Sequence, residues 1–167
     1  MAERESLGRA TMTYEGIFNI KEAVKTIQDA GKDKKFAFKE TDHTESVTPE
    51  GKFIDLKADI DKKITDYAKG IVKFEMQVSK MQDKIVEEDG KRKKYQTGKI
   101  LINMEAWLQT DYEKRWEMKP TMYLLRVFFE KYVFGPHLDK DKKETTATME
   151  HIKSSIKNYF NLMKYES

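Results

Sequence analysis

The sequence predicts an α+β fold, in which an antiparallel β-sheet is packed by an N-terminal helix and two C-terminal helices. Three observations support this prediction. Apolar and polar residues alternate through 52–62, 68–80 and 98–110, which is typical of strands with one buried face. Apolar residues recur instead with helical spacing near both ends of the chain. Aromatic residues make up 11% of the 167 residues, which supplies enough large side chains for one hydrophobic core.

The N-terminal part is expected to contain a tail, a short strand and a helix. Residues 1–11 mix both charge signs without an apolar run, so we predict a flexible tail there and a single α+β domain over 12–167. A short strand that begins at Tyr14 then leads into a helix at about 20–30. The helix is predicted from the i, i+3, i+4, i+7 spacing of its apolar residues, which are Ile20, Ala23, Val24 and Ile27.

The segment 60–88 fits two different patterns. Its large apolar residues are spaced alternately by four and three positions, as in an amphipathic helix. Gly70 would weaken such a helix, and the Asp89-Gly90 pair that follows is favoured in tight hairpin turns. Four apolar residues also alternate with polar ones, as in a strand: Val72, Phe74, Met76 and Val78. We therefore predict strand over 71–88, and a continuous helix is the alternative.

The C-terminal part is predicted to hold the other two helices. Pro120 can start a helix over 121–134, and Gly135-Pro136 ends it. A polar stretch over 138–146 then leads to a last helix at 146–164. This last helix carries one apolar stripe, formed by Met149, Ile152, Ile156, Phe160 and Met163.

The sequence lacks the motifs that several classes of catalytic and metal-binding site require. Cysteine is absent, which excludes disulfides, thiolate metal sites and a cysteine nucleophile. The eight glycines form no phosphate-binding loop, the serines form no nucleophile elbow, and the three histidines form no paired metal motif. We therefore predict no catalytic residue, metal site or cofactor, and the sequence favours a protein that is not an enzyme. We also expect a cytoplasmic protein, because no segment has the apolar length of a secretion signal or a membrane span.

Several short motifs give the chain a resemblance to other proteins. The motifs are Thr65-Asp66-Tyr67-Ala68-Lys69, Asp89-Gly90-Lys91, Lys99-Ile100, Ala106-Trp107-Leu108, Thr110-Asp111-Tyr112-Glu113 and Arg115-Trp116-Glu117. Through them the chain resembles a family of small archaeal proteins, from about Gly51 to Phe134, and this resemblance implies no activity or catalytic residue. The order of predicted elements is also similar to the START-like helix-grip fold. Members of that fold hold lipids or other apolar ligands between the last helix and a curved sheet.

The first functional hypothesis is a non-enzymatic binding protein that holds an apolar small molecule or lipid between the sheet and the C-terminal helix. The nine methionines suit an adaptable apolar surface, and they are equally common as ordinary core residues. The predicted ligand-binding residues are Phe74, Met76, Ile102 and Met104 on the sheet, with Met149, Ile152 and Ile156 on the helix.

The alternative hypothesis is an adaptor, or a ribosome- or RNA-associated module, that uses a basic hairpin tip. The tip consists of Lys91, Arg92, Lys93 and Lys94. These side chains can contact the phosphates of a nucleic acid or of an anionic lipid surface. Against this, Glu87, Glu88 and Asp89 can neutralise the tip, and the formal charge of the whole chain is only +3. The oligomeric state is not predicted.

One polar cluster combines residue types that can bind a divalent cation. It spans residues 40–45 and contains His43 among acidic side chains. In a regular strand Glu40, Asp42 and Thr44 would share one face and His43 and Glu45 the other, so these ligands would not converge. We therefore predict an exposed loop here rather than a metal site.

Overall fold

Residues 3–110, 124 and 135–166 are described by a computed structural model. In chain order their elements are β1 (Glu3–Phe18), α1 (Ile20–Asp33), β2 (Ala37–Thr48), β3 (Gly51–Lys63), β4 (Ala68–Glu88), β5 (Lys91–Thr110) and α2 (Gly135–Glu166). These five strands form one antiparallel sheet in the order β1-β5-β4-β3-β2. The predicted α+β class and antiparallel sheet are confirmed.

The alternation of apolar residues along β4 and β5 directs one face of the sheet into the core. Phe74 pairs with Met104 and Met76 with Ile102, and all four residues are at most 3% exposed. Their side chains point to the same face because successive residues of a strand alternate. The strand prediction for 71–88 is therefore confirmed. The helical alternative is wrong, because this segment forms β4, which pairs with β3 on one side and with β5 on the other.

Both described helices cover this face of the sheet. α1 contributes Ala23 and Ile27, and α2 contributes Ile152 and Ile156, and these residues are fully buried in the same apolar cluster as the sheet residues. The predicted helix at about 20–30 is confirmed as α1. Neither of these two helices has the length and apolar composition needed to cross a membrane.

The predicted N-terminal tail is wrong from Glu3 onward, because residues 3–11 belong to β1. This segment pairs antiparallel with the C-terminal part of β5. The side chains of Ser6 and Arg9 also bond to the carboxylate of Glu105, at 2.9 Å each. β1 is an edge strand with many exposed residues, so its sequence shows no apolar run although its backbone pairs along its length.

The C-terminal helix is longer than predicted, because α2 begins at Gly135 instead of after the polar stretch 138–146. Thr145 lies fully buried within that stretch and donates its hydroxyl to the backbone carbonyl of Asp141 at 2.9 Å. Pro136 suits the first turn of a helix, where a missing N–H costs nothing. The pair expected to end one helix therefore starts another.

The prediction of two C-terminal helices is not matched within the described residues. There, α1 is the helix that follows β1, and α2 is the helix at the C-terminal end. The helix predicted over 121–134 lies outside the described residues, except for Leu124.

Tyr159 joins the C-terminal part of α2 to the start of α1. Its hydroxyl accepts a hydrogen bond from the backbone N–H of Asn19 at 2.9 Å and donates one to the carbonyl of the same residue at 3.1 Å. Asn19 caps α1, since its side-chain oxygen accepts from the N–H groups of Lys21 and Glu22. Burial raises the pKa of Tyr159. The neutral hydroxyl is thus the form that the fold favours.

We expect Tyr159→Phe to lower the free energy of unfolding by about 1–3 kcal/mol, because the N–H of Asn19 loses its acceptor.

The raised pKa of Tyr159 also predicts that the stability of the protein depends on pH. The unfolded chain ionises this tyrosine first, so the contribution is present below about pH 10 and is lost as the pH rises further. Urea unfolding at neutral and at alkaline pH measures both effects. An alkaline loss as large in Tyr159→Phe as in the wild type would contradict this role.

Candidate functional site

A groove lies between α1 and the strands β2, β3 and β4. Its volume is about 350 Å³. α1 lines it with Ile20, Lys21, Val24, Lys25 and Gln28, β2 with His43 and Glu45, β3 with Ile54 and Leu56, and β4 with Met76. We call this cavity the α1 groove.

The floor of the α1 groove is apolar. Leu56 pairs with Met76, and Ile54 lies two residues before Leu56 on β3, so these three side chains share the face that carries the helices. Each of them is at most 5% exposed. On the helix side, Ile20 and Val24 are half-buried against the same core. The groove therefore offers apolar contacts to the body of a ligand.

Two lysines of α1 stand beside this apolar floor. Lys21 and Lys25 are four residues apart, so their side chains project from the same side of the helix. Both are exposed, and neither has a carboxylate within ion-pair distance among the residues that the structure describes. Their two positive charges are therefore available to an anion.

The opposite wall of the groove is formed by His43 and Glu45 of β2. Nε2 of His43 lies 2.9 Å from Oε1 of Glu45, and Lys52 forms an ion pair with the same carboxylate. The hydrogen bond from Lys52, followed by the one from His43, lowers the pKa of Glu45. The negative charge of Glu45 is thus balanced by Lys52 of β3, whereas Lys21 and Lys25 have no acidic partner among the residues that the structure describes.

A β-bulge creates this wall. The register of β2 against β3 shifts between Glu40 and Asp42, so that His43 lies opposite Leu56. The shift brings Glu40 and His43 to the same face, and Nδ1 of His43 lies 3.4 Å from Oε1 of Glu40. The predicted loop over 40–45 is therefore wrong, because the segment is strand. Among residues 3–110 and 135–166, no group of three acidic or histidine side chains is arranged to hold a metal ion.

The seven residues predicted to bind an apolar ligand all lie in the hydrophobic core. They are at most 3% exposed and belong to one apolar cluster: Phe74, Met76, Ile102, Met104, Met149, Ile152 and Ile156. The structure brings these side chains together from the sheet and from α2, and it packs them into one core. Of the seven, Met76 also lines the α1 groove. Their role in ligand binding stays a prediction.

The basic tip stands at the start of β5, opposite the acidic end of β4. Its four side chains, Lys91, Arg92, Lys93 and Lys94, are exposed. Three of them have partners on β4: Arg92 with Glu87 at 3.6 Å, Lys93 with Glu88 at 3.0 Å and Lys94 with Asp83 at 3.3 Å. A phosphate would have to compete with these ion pairs. The binding of a nucleic acid or an anionic surface by the tip stays a prediction.

Lys21 and Lys25 are candidate site residues that no sequence motif indicates. Helical periodicity identifies the buried side of α1, and the two lysines border that side. They line a cavity only because β2 lies across the groove from α1, and no local sequence pattern predicts that arrangement.

The chain matches no protein-family model and no curated protein.

Proposed function

We propose that the protein binds an amphipathic small molecule, whose apolar body occupies the α1 groove and whose anionic group contacts Lys21 and Lys25. The observation that carries this proposal is the pair of lysines beside an apolar floor, without ion-pair partners in the described part of the chain. A volume of about 350 Å³ suits a small ligand, since ligand cavities typically measure about 300–1,000 Å³.

The charges around the α1 groove favour an anion over a cation. Glu45 is the only acidic residue among its described lining residues, and it is already paired with His43 and Lys52. Two lysines on one side of a helix attract an anionic group more strongly than either lysine alone, because their Coulomb energies add. The ligand is therefore expected to carry a carboxylate, sulfonate or phosphate group at one end.

This proposal keeps the apolar body that the START-like resemblance implies for the ligand, and it adds an anionic group. One antiparallel sheet with both described helices on one face supports that resemblance. The ligand lies beside α1 rather than under α2, because the side chains between α2 and the sheet are packed against one another. Ile152 and Ile156 of α2 are fully buried, for example, as is Ile102 of β5.

The proposal can be tested with two fluorescent probes, anilinonaphthalene sulfonate and phenylnaphthylamine. They share one aromatic body, but only the sulfonate carries a negative charge. In the double variant Lys21→Ala/Lys25→Ala we expect the affinity for the sulfonate to fall about 5–30-fold, since each exposed ion pair contributes about 0.5–1 kcal/mol. The affinity for the neutral probe should stay nearly unchanged, because the apolar floor is intact.

The matched control is Lys153→Ala/Lys157→Ala on α2. It removes the same charge at the same spacing on a helix, away from the α1 groove. This control should bind the sulfonate as the wild type does. Equal losses in the two double variants would show that net charge alone governs binding, and they would overturn the proposed site. A loss for both probes in Lys21→Ala/Lys25→Ala would also overturn the role given to the lysines.

A further inference from the structure

A second cavity lies where the first turns of α2 meet the connection between β3 and β4. Its volume is about 540 Å³, and its described lining residues differ from those of the α1 groove. Ile64, Tyr67 and Leu138 give it apolar and aromatic surface, while Asp141 and Glu144 bring carboxylates to it. We call this second cavity the α2 cavity.

Asp141 is the unusual group in the α2 cavity. It is only 5% exposed, and no donor among the described residues lies within hydrogen-bond distance of its carboxylate. The carboxylate oxygens are not fully enclosed and open onto the α2 cavity, but burial of the rest of the side chain limits their contact with water, which is unfavourable for a charged group. Burial raises the pKa of Asp141, and the nearby charge of Glu144 adds to this effect. A ligand that offset the charge would remove this penalty.

The other acidic residues that line the α2 cavity have partners. Glu144 forms an ion pair with Lys62 of β3, and Asp66 lies 3.3 Å from Lys63. The position of Asp141 on α2 puts it one turn from Glu144, on the same side of the helix. Within the described part of the chain, Asp141 is therefore the acidic lining residue of this cavity that has no ion-pair partner.

Two further titratable groups of α2 line this cavity. His137 and Lys140 both favour the charged form of Asp141 through their electrostatic fields. Neither side chain lies within ion-pair distance of the Asp141 carboxylate. They therefore moderate the burial penalty without supplying the missing hydrogen-bond donor.

We propose that the α2 cavity binds a small organic cation of the primary amine class, with the carboxylate of Asp141 as its counter-ion. An ammonium group supplies the donors that Asp141 lacks and offsets its charge. The ring of Tyr67 and the side chains of Ile64 and Leu138 suit an apolar or aromatic body attached to the amine. This inference does not depend on the ligand proposed for the α1 groove, since the two cavities are lined by different residues.

The test compares phenethylamine with phenethyl alcohol in isothermal titration calorimetry. The two probes have the same aromatic body, and they differ in an ammonium group against a neutral hydroxyl. We expect the wild type to bind the amine at least about tenfold more tightly, because hydrogen bonds between charged groups are the stronger ones. An equal affinity for both probes, or no detectable binding of the amine, would overturn the proposal.

Two variants assign the effect to Asp141. Asp141→Asn keeps the shape of the side chain and removes its charge, and it should reduce the affinity for phenethylamine at least about tenfold. Asp139→Asn is the matched control, because Asp139 is exposed on the same helix and is not among the lining residues of the cavity. It should bind the amine as the wild type does. Equal losses in the two variants would overturn the assignment, and the comparison of the two probes in the wild type does not depend on either variant folding.

Discussion

Replacing Ile156 with alanine is expected to lower the free energy of unfolding by about 2–5 kcal/mol, the usual cost of truncating a fully buried aliphatic side chain. Ile156 is 0% exposed and packs within the cluster between α2 and the sheet. Its truncation leaves a cavity that the surrounding strands cannot fill, because they are held by their own hydrogen-bond ladders. Urea denaturation followed by circular dichroism measures the change.

Lys157→Ala is the control for this substitution. Lys157 is the next residue of α2 and is exposed, so its truncation should change the free energy of unfolding by at most about 0.5 kcal/mol. Similar effects of Ile156→Ala and Lys157→Ala would contradict the assignment of the buried side of α2.

Replacing Gly70 with alanine is expected to destabilise the protein by about 1–3 kcal/mol, as overpacked core positions do. A Cβ atom at Gly70 would clash with Oγ1 of Thr145 on α2 and would lie close to Ile64 and Phe36. The backbone of Gly70 is not among the positive-φ glycines, so the effect comes from this contact rather than from backbone strain. Thermal and urea unfolding of the purified variant measure it.

A double-mutant cycle with Thr145→Ala identifies the source of the clash. Removal of the Thr145 hydroxyl makes room for the new methyl group, so Gly70→Ala should cost less in the Thr145→Ala background than in the wild type. Contacting residues commonly show such a coupling, of about 0.5–3 kcal/mol. Additive effects would mean that α2 does not approach β4 as closely as the structure places it.

Local periodicity explains which parts of the fold were predictable. β3, β4 and β5 alternate apolar and polar residues, and the second half of α2 carries one apolar stripe, because each buries a single face. Core positions such as Phe74 and Ile156 follow from these patterns alone. The strand assignment of β4 also depended on a local signal, the Asp89-Gly90 turn that the structure shows between β4 and β5.

The two ends of the sheet have no such signal. β1 pairs through its backbone while many of its side chains stay exposed, so the charged segment around Arg9 resembles a tail in sequence. β2 is exposed along most of its length for the same reason. Every residue has a backbone carbonyl, and every residue except proline has a backbone N–H, so a segment that pairs at a sheet edge needs no apolar pattern.

The sequence by itself determined the α+β class, the three inner strands of the sheet and the buried stripes of the two described helices, because those features depend on the spacing of residues along one element. Tertiary structure alone decided both candidate sites. A bulge in β2 turns His43 toward the face that α1 covers, opposite Lys21 and Lys25. Asp141 belongs to a polar stretch, and it is buried where the first turns of α2 meet the connection between β3 and β4. Each site joins elements distant in sequence, so its charges become neighbours only when the sheet and helices pack.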